Sequence, residues 1–201
     1  MKFDGWPGLL ALAIGICVSA AVARADGQVI ERSETYAITG TSGAELYASI
    51  GEHGPLVGED VRTIAHTNFK LTWSRNYKPR GSVCTLVSAR PKLVITYTLP
   101  RPAGKLPAAV QKRWDIFIDG LRRHEKVHGD HIKEMVKRIE QTTIGVSVEN
   151  DPKCTKIREQ IKKPLSEASL AQRQKSRDFD RVEMGEGGNI RRLVLDLVNG
   201  R

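Results

Sequence analysis

The sequence predicts an α+β fold in which antiparallel strands from the N-terminal half pack on one long helix, with a further helix toward the C-terminus. Two observations predict it. From Val29 to Leu99 short segments rich in Thr, Val, Ile and Tyr are separated by Gly, Pro, Asn and Ser, the pattern of strands and turns. From about Pro107 the apolar period changes. Trp114, Phe117, Leu121, His124, His128, His131, Met135 and Ile139 recur at intervals of three and four, which is one face of a helix.

Taken in chain order, residues 1–25 combine a short basic start, an apolar run from Leu9 to Val22 and the small-x-small site Ala23-Arg24-Ala25. This is the composition of an export signal, and the run is too short to cross a bilayer comfortably. Ile16 before Cys17 is too large for the small residue that lipid attachment needs there. The expectation is therefore a chain released to the periplasm or outside the cell, with no membrane-spanning segment after cleavage. Removing residues 1–25 leaves 176 of the 201, enough for one domain with a real core. Residues 26–160 read as the α+β domain and residues 161–201 as a helical C-terminal extension.

Within the domain, Glu34 to Ile38, Ile64 to Trp73, Cys84 to Ala89 and Lys92 to Leu99 have strand length and strand composition. Gly40, Gly54-Pro55 and Pro79 to Gly81 punctuate them, Ala44 to Ile50 can form a short helix, and Pro100 closes the last strand. Pro107 suits the first turn of the long helix and Thr142 to Gly145 its end. Gly120 and Gly129 each cost about 1 kcal/mol relative to alanine in a helix, so either can mark a kink. Pro164 to Asp178 is a polar helical segment, Met184 to Gly188 a turn, and Leu193 to Val198 an apolar run that docks as strand or helix. Trp73 and Trp114 read as core residues.

The formal net charge is +9, and residues 1–25 contribute one positive charge of it, so the remainder stands at about +8. The basic residues are dispersed and aromatics make up only 5%, so no specific nucleic-acid interface is expected; the charge reads as a solvated surface with weak affinity for polyanions. Cys84 and Cys154, an even count in an exported chain, predict a disulfide. Closing a loop of about seventy residues is worth roughly 4 kcal/mol in the chain-entropy account.

The chemistry is concentrated in His124-Glu125-Lys126-Val127-His128, an HExxH segment inside the long helix. Two histidines four apart lie about 6 Å apart along the axis on one face, so both imidazoles can converge on one tetrahedral ion. Glu125 is turned about 100° from His124, free to act as general base without being a ligand. Zinc is the expected ion, and a zinc-dependent metallopeptidase acting on a peptide or protein the expected enzyme. His131 extends the stripe, either as third metal ligand through a bend at Gly129 or as an outer hydrogen-bonding partner, since it sits about 10 Å along the axis from His124. Other candidates for the third position are His66, Glu183 and Glu186; His53 reads as a solvated surface residue. The competing expectations are a non-catalytic envelope binding module with a structural metal or histidine stripe, and a basic surface adsorber holding no metal.

Tyr36-Ala37-Ile38-Thr39-Gly40-Thr41 with Glu45-Leu46, then Thr67, Trp73, Cys84, Leu99-Pro100, Trp114, and His124-Glu125 with His128, carry a resemblance that runs from about Tyr36 to Glu140. The chain resembles the bacterial domain-of-unknown-function family described as predicted secreted zinc-dependent proteases. That resemblance implies an exported α+β domain built around a metal-binding helix. Members of that family often carry a later aromatic-Asp stretch ending in His-Gly, whereas here Phe179-Asp180 leads to Glu183-Met184-Gly185. Metzincins place a third histidine six residues after the second; here His131 follows His128 by three.

Overall fold

Eleven elements follow in chain order: β1 (Gln28–Ile38), α1 (Gly43–His53), β2 (Leu56–Val57), β3 (Val61–Arg62), β4 (His66–Arg80), β5 (Val83–Pro102), α2 (Ala108–Thr143), β6 (Ser147–Val148), α3 (Lys156–Gln160), α4 (Lys162–Met184) and α5 (Asn189–Asn199). They come from a computed structural model, which describes residues 27–58 and 60–200; the expected export leader lies outside the described residues. Among these residues no helix is long and apolar enough to cross a membrane.

β5 is the centre of the sheet, with β4 antiparallel on one side and β1 parallel on the other. The sheet is therefore mixed, because β1 leads into α1 and the chain returns on the far side of β5. The two strands expected at Cys84 to Ala89 and Lys92 to Leu99 are one strand of 20 residues, running through three prolines. Each proline sits where β5 has a neighbour on one side only. Pro91 falls between the stretch paired with β6 and the stretch paired with β1, and Pro100 and Pro102 lie beyond Thr98, where β4 has ended. A missing N–H is tolerated at such positions.

Alternation along β5 decides what packs where. Leu93, Ile95, Tyr97 and Leu99 point inward and are buried, and α2 lies across them. α2 runs unbroken for 36 residues, about 54 Å at 1.5 Å per residue, and buries Trp114, Phe117, Leu121, Ile132, Met135 and Ile139. Tyr36 and Trp114 belong to the cluster at one end, with Ile38, Leu46 and Leu193; Trp73 packs against the cluster beside Ile132 and Met135. Residues 189–199 form a helix, since Ile190, Leu193 and Leu197 are buried at helical spacing. The segment Thr41 to Leu46 is a capping box: Ser42 Oγ accepts from the Glu45 N–H, and Glu45 Oε2 accepts from the Ser42 N–H, both at 3.2 Å.

α2 continues as helix through both of its glycines. A Cβ on Gly129 would lie 2.1 Å from Tyr97 Oη, so this glycine lets α2 close on the sheet. The Tyr97 hydroxyl donates to Glu31, which also pairs with Lys126 and with Lys133 at 3.0 Å, tying β1 to α2. Burial alone would raise the Glu31 pKa, but those three donors hold it down at about 2. Gly129→Ala would gain about 1 kcal/mol in an open helix. Here it is expected to lower the thermal unfolding midpoint, and Tyr97→Phe in the same chain to recover part of the loss; a midpoint raised by Gly129→Ala would contradict this packing.

Cys84 and Cys154 form a disulfide, with Cα atoms 5.3 Å apart. It fastens the start of β5 to the turn before α3, where the Asp151 carboxylate accepts from the N–H groups of Thr155 at 2.7 Å and Ile157 at 2.9 Å. The chain after α2 is thus anchored before α4 turns back along α2.

Candidate metal centre

The period of α2 puts His124, Glu125 and His128 on its inward side, over a gap between the sheet and α4. His124 and Glu125 are each only 4% exposed. Polar groups so deeply buried need partners. Those of His124 and His128 are each other and Asp180 of α4. The two Nε2 atoms are 3.2 Å apart, and Asp180 Oδ1 lies 3.2 Å from His124 Nε2 and 2.8 Å from His128 Nε2. For zinc–ligand bonds of 2.0–2.1 Å, a tetrahedron has edges of about 3.3 Å. Three donor atoms thus form a triangle close to one face of such a tetrahedron, and they are the metal-compatible cluster found among the described residues.

A second observation bears on whether an ion fits. His124 Nδ1 is buried with no hydrogen-bond partner among the described residues, and the carboxylate oxygen Glu183 Oε2 is 3.8 Å away. An imidazole bound to metal through Nε2 carries its proton on Nδ1, and Glu183 is the carboxylate placed to orient it. Phe179 closes the site from α4: its ring stacks on His124 with centroids 4.8 Å apart and meets His128 and His131 edge-on. One polar helix therefore supplies an apolar wall, a candidate ligand and a nearby carboxylate through residues 179, 180 and 183.

The electrostatics follow from these contacts. Burial disfavours charge on His128, but the hydrogen bond and charge of Asp180, with the charge of Glu125, raise its pKa overall. Burial would raise Asp180, yet the two imidazoles hold it well below the usual carboxylate range.

His131 is placed elsewhere. Its Nδ1 lies 3.2 Å from Ser176 Oγ, one turn before Asp180 on α4, and its ring centroid is 6.1 Å from that of His128. It links α2 to α4 beside the triangle, and burial followed by the charge of Lys175 lowers its pKa. His66 lines the gap without touching the triangle, Glu186 is exposed, and His53 bonds Ser49 of its own helix. The residue that sequence reasoning did not nominate is Asp180. Its only signal was the Phe179-Asp180 stretch, because a lone aspartate on a polar helix has no periodicity that points to a contact 52 residues upstream.

Glu125 is held from the other side. Thr67 on β4 donates its hydroxyl to Glu125 Oε2 at 2.5 Å, and Oε1 has no hydrogen-bond partner among the described residues. Beside it opens a cleft of about 620 Å³, bounded by α2, α4, the β2–β3 hairpin and residues Thr63 to Phe69. β4 borders it as an edge strand whose second side has no strand partner among the described residues. Tyr36, in β1, donates to the Ile64 carbonyl at 2.7 Å and so fixes the start of that border.

Compared with models of known families, residues 33–188 match the one described as bacterial protein of unknown function (DUF922). No curated protein and no solved structure matches the chain.

Proposed function

The chain belongs to that bacterial family of unknown function, and from this premise we propose that it is a zinc-dependent metallopeptidase exported to the periplasm or beyond. The observation that carries the reading is the triangle of His124 Nε2, His128 Nε2 and Asp180 Oδ1, with Glu125 next to it on the same helix turn. Two imidazoles and one carboxylate suit zinc, whereas calcium and magnesium take oxygen ligands. Three protein ligands are the number that leaves a fourth position for water or substrate. The disulfide supports an oxidising compartment.

Zinc in this site would supply Lewis acidity, bringing the pKa of a coordinated water near 7. The remaining work falls to side chains. Thr67 fixes the Glu125 carboxylate so that Oε1 accepts the proton of the attacking water and passes it to the departing amine. Glu183, 3.8 Å from His124 Nδ1, would accept its proton after a small approach, and Phe179 excludes water behind the imidazoles. The free edge of β4 offers backbone donors and acceptors to an extended peptide, and this favours a peptide over other hydrolysable groups.

The test is to purify the protein without a histidine tag, measure bound zinc, and follow cleavage of a quenched-fluorescence peptide library with and without one equivalent of Zn²⁺. Zinc near one per chain with zinc-dependent cleavage is expected. Zinc bound through four protein ligands with no cleavage would favour the non-catalytic module, and no zinc uptake would leave neither reading standing.

A further inference from the structure

α2 packs on one face of the β4–β5 ribbon, and the register defines what the other face presents. Inward residues of β5 are Leu93, Ile95, Tyr97 and Leu99, so their neighbours face away. Along the β4–β5 ladder the outward rows are Arg80 with Val83, Lys78 with Thr85, Ser74 with Arg90, Thr72 with Lys92, and Lys70 with Val94. Five cations thus line one ribbon, which spans the ten steps from Lys70 to Arg80 on β4, about 33 Å at 3.3 Å per residue.

Several cations of the helices are held in ion pairs. Lys126 and Lys133 pair with Glu31, Lys162 with Glu159, Lys175 with Glu134 and Arg181 with Asp178. Lys70, Lys78, Arg80, Arg90 and Lys92 have no ion pair among the described residues, and all five are exposed. The register puts one carboxylate on this face, Glu34 opposite Thr98, beyond the basic end, and Glu149 follows β6 at the other extremity. Between the cations stand Thr72, Ser74 and Asn76, small groups that donate hydrogen bonds. The aromatic residues of β4, Phe69, Trp73 and Tyr77, pack inward on the core clusters.

We infer that the outer face of the β4–β5 ribbon is a binding track for a linear, base-free polyanion, a flexible chain of phosphate or other anionic groups. Unneutralised charge in a line matches a polymer better than a single ion. A face without aromatics lacks the stacking platform that single-stranded nucleic acids use. A long twisted ribbon follows a flexible chain more closely than it lies on a flat bilayer. Such a track would hold the protein on an anionic polymer while the cleft, on the opposite side of the sheet, stays open; it stands whether or not the metal centre is catalytic.

The test uses the full chain with three probes: long-chain inorganic polyphosphate, phosphatidylglycerol vesicles and poly(dT). Polyphosphate binding is expected to weaken with salt at a log–log slope of roughly −3.5, from about −0.7 for each of five contacts. The variant Lys70→Glu, Arg90→Glu, Lys92→Glu should lose at least about tenfold in affinity, and the milder glutamine triple an intermediate amount. A control, Lys112→Glu, Lys163→Glu, Arg191→Glu, changes net charge equally on exposed helical sites and should lose far less. Equal loss in the control would reduce the effect to net charge and overturn the inference. Tighter binding to vesicles or to poly(dT) than to polyphosphate would overturn it as well, by giving the face to a membrane or a nucleic acid.

Discussion

Glu125→Gln is expected to retain zinc at wild-type stoichiometry while peptide hydrolysis falls by roughly 10²- to 10⁴-fold, the range that a positioned general base contributes. That corresponds to about 3 to 5.5 kcal/mol of transition-state stabilisation. Glutamine has nearly the shape of glutamate and still offers an oxygen to the Thr67 hydroxyl, so the fold and the neighbouring imidazoles should be undisturbed. What it lacks is the basicity to take a proton from water. The decisive measurement is a pair, zinc content and kcat/KM on the same preparation. Wild-type rates in a zinc-loaded variant would remove Glu125 from the mechanism, whereas loss of zinc along with activity would make it a structural support of the site.

Asp180→Ala should weaken zinc binding by more than 100-fold, beyond the 10- to 100-fold typical of an outer hydrogen-bonding partner. His131→Ala should weaken it by less than about tenfold. The contrast follows from position: Asp180 Oδ1 is 2.8 Å from His128 Nε2, while His131 spends its Nδ1 on Ser176 at 3.2 Å. Competition against a fluorescent chelator reads both affinities. A larger loss in His131→Ala than in Asp180→Ala would move the third ligand to His131 and require α2 to bend at Gly129.

Much of this was legible from residue order, for reasons that are local. The change from strand composition to a three-and-four period near Pro107 marked α2, because amphipathic helices repeat their buried positions. HExxH was legible because its geometry is set within one helical turn, and the disulfide because only two cysteines remain beyond residue 25 and can pair in one way. What was illegible depends on distant partners. Prolines suggested strand ends, yet β5 continues through them because its neighbours begin and stop at different residues. Gly129 looked like a hinge on α2 and is a point of close approach, a fact held by Tyr97 rather than by the helix. Asp180 has no marker of its own, since only the fold of α4 against α2 gives it company.

The donor atoms reside on two helices, His124 and His128 on α2 and Asp180 on α4, joined by a connection that includes the disulfide-tethered turn. An ion seated between them is therefore a crosslink as well as a reagent. In the proposed zinc form, the free ion concentration would set how firmly the last quarter of the chain adheres, by the mass-action rule that a ligand stabilises only the form it binds. On that reading maturation and metallation would be a single event, and scarcity of the ion would expose α4 to degradation before it merely silenced a reaction.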